Sequence, residues 1–67
     1  NPMAEFLVLH QKNNNKVRVV NIEHVRMLRP HDEAGTWLEF GGDSEISSLL
    51  VREDLDDLIT FLEAEHV

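Results

Sequence analysis

The hydrophobic period changes once along this chain, and that change constrains the fold more than any other feature. Up to Val51 the apolar residues come in short runs separated by Asn, Pro and Gly, the pattern of short strands joined by tight turns. From there Leu55, Leu58, Ile59 and Leu62 fall at i, i+3, i+4 and i+7, on one face of a helix. The expected class is α+β: about five short antiparallel strands forming a small curled sheet or partly open barrel, with one C-terminal helix over residues 54–66 packed on it.

The strands read in order. Glu5 to His10 is apolar on both faces, Phe6 and Val8 on one, Leu7 and Leu9 on the other, so cover is expected on both sides. Gln11 to Lys16 forms the hairpin loop, where Asn tolerates the left-handed backbone of tight turns. Val17 to Ile22 returns, with Val17 and Val19 sharing a face. After a turn at Asn21–His24, Val25 to Arg29 is the third strand, ended by Pro30, which cannot donate to the next ladder bond. Thr36 to Phe40 is the fourth, Gly41-Gly42-Asp43 a turn, and Ser44 to Val51 the fifth. Asp54 is placed to cap the helix with its carboxylate, with Asp57 three residues on as a capping-box-like partner.

With 67 residues and no cysteine, the chain forms one domain, spans 3–67 and gains nothing from disulfides. Met3 reads as a start, so Asn1 and Pro2 are set aside as vector-derived. Chains this small usually need a disulfide, a metal or a partner subunit, which leaves oligomerisation as the expected source of stability. No apolar run approaches the ~18 residues of a membrane span, and a cytoplasmic location is expected.

Charge is sorted by position. Residues 1–29 hold five cations and two acids, whereas residues 30–67 hold one cation and eleven acids, within a net charge of −7. Opposite halves of this kind attract, within a fold or between copies.

Candidate functional residues follow from what one small core cannot absorb. Trp37 shares the Glu39 face rather than the Thr36-Leu38-Phe40 face, and Phe61 lies outside the main helix stripe. Exposed aromatics anchor interfaces, so Phe6, Leu7, Val8, Leu9, Trp37 and Phe61 are the candidate interface residues. The histidines His10, His24, His31 and His66 lack metal-ligand spacing, no nucleophile sits in a recognisable catalytic setting, and no enzymatic activity, cofactor or metal is expected. The alternative function is single-stranded nucleic-acid binding by a small β-barrel through Lys12, Lys16, Arg18, Arg26 and Arg29.

Three segments carry a resemblance: Val20-Asn21-Ile22-Glu23-His24-Val25, Thr36-Trp37-Leu38-Glu39-Phe40, and Val51 to Ile59. In this order they resemble the small flagellar and swarming-motility accessory proteins of the FlbD-like family, over about two thirds of the chain. The resemblance implies a β-rich domain with a C-terminal helix, Asp54 standing at the family's serine cap position, and brings no catalytic residue with it. The reading as a whole is a non-enzymatic interaction module that associates with itself, as a homodimer or higher closed oligomer, with an unidentified protein partner as a further possibility.

Overall fold

The computed structural model describes residues 5–42 and 44–63. Five antiparallel strands form two small sheets, and a single helix packs on them. The first sheet is a two-stranded ribbon of β1 (Phe6–His10) and β2 (Val17–Asn21). The second contains β3 (Val25–Pro30), β4 (Thr36–Phe40) and β5 (Ser48–Val51) in that spatial order. The expected curled sheet thus divides into two and three strands.

The sheets meet at one corner. Gln11 bridges Val51, the Lys12 amide donates to the Leu50 carbonyl at 3.0 Å, and the Arg52 amide donates to the His10 carbonyl at 2.9 Å. Beyond this corner β1 and β5 diverge, and side chains rather than ladder bonds join the layers.

Each layer gives the core one or two side chains. Leu9 and Val20 come from the ribbon, Leu38 and Val51 from the larger sheet, and Leu58 from the helix, all nearly inaccessible to solvent. Leu7, Ile22, Val25, Leu28, Phe40 and Leu49 pack around them, half-buried. The alternation expected for β4 is present: Thr36 and Leu38 are buried, while Trp37 and Glu39 keep partial exposure. Thr36 is the buried polar residue, and its hydroxyl donates to the Glu53 carbonyl at 2.8 Å, which meets the requirement that buried polar groups be paired.

Several boundaries differ from the expectation. Ile22 leaves the second strand for a single 3₁₀ turn, Ile22–His24, capped by the Asn21 side chain accepting from the Glu23 amide at 3.0 Å. The third strand keeps Pro30, which pairs with Thr36 at its last position, where a missing donor matters least. The fifth strand is shorter than expected, beginning at Ser48. Asp43 of the expected turn lies outside the described residues.

The helix α1 (Leu55–Leu62) ends where Glu63 adopts a left-handed conformation, φ 54°, and turns its amide back toward Ile59 and Thr60. The expected helix to residue 66 is therefore cut at 62, and positions 64–66 lie outside the described residues. Asp54 stands at the N-cap, but its side chain makes no capping bond. Its carboxylate instead accepts from the Gly35 amide at 3.0 Å, tying the helix start to the β3–β4 turn. That turn requires glycine: Gly35 has φ 95°, and a Cβ there would collide with the Val51 carbonyl oxygen.

Candidate functional site

The ribbon has one face in the core and one face in solvent. Its register pairs Phe6 with Asn21, Leu7 with Val20, Val8 with Val19, Leu9 with Arg18 and His10 with Val17. Cross-strand partners share a face, so Leu7, Leu9 and Val20 point inward. Phe6, Val8, Val17 and Val19 point outward together, at 56%, 62%, 56% and 62% exposure. Four large apolar side chains on adjoining positions form a contiguous patch rather than the scattered exposed residues of an ordinary surface.

The phase of the ladder also fixes what the ribbon's edges offer. The Ile22 amide donates to the Glu5 carbonyl at 2.9 Å and the Gln11 amide to the Lys16 carbonyl at 2.8 Å. Hydrogen-bonded pairs alternate with non-bonded ones in an antiparallel ladder. Main-chain groups of Phe6, Val8 and His10 therefore point away from β2, and those of Val17, Val19 and Asn21 point away from β1. At His10 the outward groups are engaged, by Arg52 and by Glu53. The outer edge of β2 has no partner strand among the described residues. It borders a groove of about 410 Å³, whose far wall is built from Phe40, Ile46 and Leu49.

A polar latch holds the other edge. Glu53 accepts from the His10 amide at 3.0 Å with one carboxylate oxygen, and its second oxygen lies 2.7 Å from His10 Nδ1. Burial by itself raises the Glu53 pKa. The bond to the His10 ring, the main-chain bonds and the charge of the ring act the other way, and the net result is a value below its ordinary 4.5. The latch joins residues 43 positions apart, so no local pattern in the sequence could signal it.

The expected interface residues divide among different environments. Phe6 and Val8 are on the exposed patch, and Phe61 is exposed on α1 at 59%. Leu9 is a core residue, 1% exposed, and cannot serve as a surface anchor; the inward phase of β1 puts it opposite Arg18 and against Leu38 and Leu58. Leu7 also faces inward and packs on the core. Trp37 is half-buried, beside Arg29 and Leu50 across the strands, with its ring centroid 6.1 Å from that of His31. Val17 and Val19 complete the patch. Their shared face was readable, but their place opposite Val8 depends on the hairpin register.

The five candidate nucleic-acid contacts fall on two sheets, Lys12, Lys16 and Arg18 around the ribbon hairpin and Arg26 and Arg29 on β3. Lys12 donates to the carbonyls of Glu33 and Ala34, Arg18 to the Gln11 side chain at 2.9 Å, and Arg29 pairs with Glu39 at 2.5 Å. Arg26 packs over Gly41, while Lys16 is exposed at the hairpin end. Among the described residues no three His, Asp or Glu side chains converge as metal ligands would, and no helix is long and apolar enough to cross a membrane. His66 lies outside the described residues. Compared with protein-family models, curated proteins and solved structures, the chain matches none.

Proposed function

We propose that this chain is a non-enzymatic protein-interaction module that associates with itself through the β1–β2 ribbon. The observation that carries the reading is the exposed apolar patch of Phe6, Val8, Val17 and Val19 on a ribbon whose opposite face already fills the core. A patch of this kind marks a contact surface. The core supports the same reading: among the described residues four apolar side chains are fully buried, with Val20 nearly so, which is few for a domain without disulfides, and a second copy is the usual remedy. Phe61 supplies a separate apolar contact point on the helix.

Solution mass by light scattering, at low and high salt and over a range of protomer concentrations, tests the proposal. A dimer or larger closed assembly is expected at both salts, because apolar contacts are not screened. Val19→Glu is expected to give monomer mass with an unchanged circular dichroism spectrum, since position 19 is exposed and the fold does not require valine there. A wild-type monomer throughout the concentration range would refute self-association.

A further inference from the structure

We infer that two copies join edge to edge through β2, antiparallel about a two-fold axis at Val19, giving a continuous sheet in the order β1-β2-β2-β1. The inference rests on the self-association reading and specifies its geometry. It begins with the unpaired edge. A strand edge without a partner invites pairing with another chain unless it is blocked, and here the outward main-chain groups belong to Val17, Val19 and Asn21. These positions are symmetric about Val19. A two-fold axis there sets Val19 opposite the partner's Val19 and Val17 opposite the partner's Asn21, and allows about six main-chain hydrogen bonds.

The charges favour this register. Across the joint Arg18 faces the partner's Val20 and Lys16 faces the partner's Ile22, so no two cations are opposed, as strand pairing requires. Lys16 comes beside the turn that carries the partner's Glu23, and the symmetry repeats that attraction at the other end. The side chains of β2 that lie on the core side, Arg18 and Val20, face the groove walled by Phe40, Ile46 and Leu49. A partner strand therefore meets apolar surface rather than solvent. Pairing also sets Val19 of each copy beside the partner's Val19 on the outward face, so the joint covers part of each apolar patch.

Single cysteines test the geometry cleanly because the chain has none of its own. Directly opposed residues in a hydrogen-bonded antiparallel pair have Cα atoms about 5.5 Å apart, within the roughly 4.4–6.8 Å that a disulfide spans. Val19→Cys is expected to become a covalent dimer under mild oxidation. Val8→Cys, three strand spacings or about 14 Å from its counterpart, is expected to stay uncross-linked while keeping the dimer mass. Packing of the two apolar faces against each other would separate the sheets by about 10 Å and leave Val19→Cys uncross-linked. An oligomeric protein in which Val19→Cys fails to cross-link overturns the edge-to-edge joint and leaves self-association standing, whereas a monomeric wild type removes both. Amide exchange of the unsubstituted chain gives an independent reading. Val19 and Asn21 are expected to gain protection as protomer concentration rises, with Val8 unchanged, and equal behaviour at the three sites would also overturn the joint.

Discussion

Replacing Glu53 by alanine tests how much of the fold depends on the corner between the sheets. The substitution removes both acceptors of the latch, the partner of the His10 amide at 3.0 Å and that of the His10 ring at 2.7 Å. Hydrogen bonds to a charged group contribute about 1.5–3 kcal/mol each in net terms. The two share one carboxylate, and water can reach part of the site, so the expected loss is about 2–3 kcal/mol. A domain of this length has a total stability of roughly 3–10 kcal/mol, so the variant should lose a large fraction of it, and its melting temperature should fall by about 8–24 °C. The pH dependence has a definite sign. Glu53 has a folded pKa below its ordinary 4.5, so its contribution is complete above that value and disappears as pH falls through the folded one. Urea denaturation of wild type and Glu53→Ala at fixed protomer concentration, from neutral pH to about pH 3, should show two curves far apart at neutrality and converging in acid. A gap that stays constant with pH, or that is under about 0.5 kcal/mol at neutrality, would refute the latch as a stabilising element.

Other substitutions probe the remaining supports. Leu58→Ala empties the helix's one fully buried position and should cost about 2–5 kcal/mol, read as loss of cooperative melting or a large fall in its midpoint. Gly35→Ala places a side chain at φ 95° and against the Val51 carbonyl, with an expected cost of at least about 1–3 kcal/mol. Gly42→Ala meets nothing within 4 Å and should stay within about 0.5 kcal/mol of wild type in the same melt. Asp54→Ala should accelerate hydrogen exchange of the Gly35 amide, whose acceptor it removes, and equal exchange rates would show that the bond does not persist in solution.

The order and type of the elements were legible because each depends on local pattern. Thr36–Phe40 alternates buried and exposed residues as its sequence suggests, and the spacing of Leu55, Leu58, Ile59 and Leu62 names the helix. What the sequence left open are choices made across distance. Leu9 and Phe6 are equally apolar, yet one is core and the other surface. The difference comes from the ladder's phase against the second sheet, and nothing within Phe6–His10 encodes it. Asp54 illustrates the same competition: a capping position is local, but the Gly35 amide, 19 residues away, takes the carboxylate. Glu63 ends the helix by a backbone conformation that glycine usually supplies, so no glycine punctuates that helix end. The candidate surface was half legible, since Phe6 and Val8 stood out as excess apolar residues and Val17 and Val19 joined them through the register alone.

The corner between the sheets also sets an order of events during synthesis. The hairpin of β1 and β2 is complete by Asn21, but the residue that grips its end, Glu53, lies 43 positions after His10. A ribosome adding about 5–20 residues per second takes roughly 2–6 s to go from Asn21 to Glu53. Throughout this interval the corner lacks its latch, and the helix that supplies Leu58 to the core has yet to be made. The ribbon can therefore close on its core only after Val51, Glu53 and Leu58 have been made, so the fold is completed at the end of this stretch rather than hairpin by hairpin.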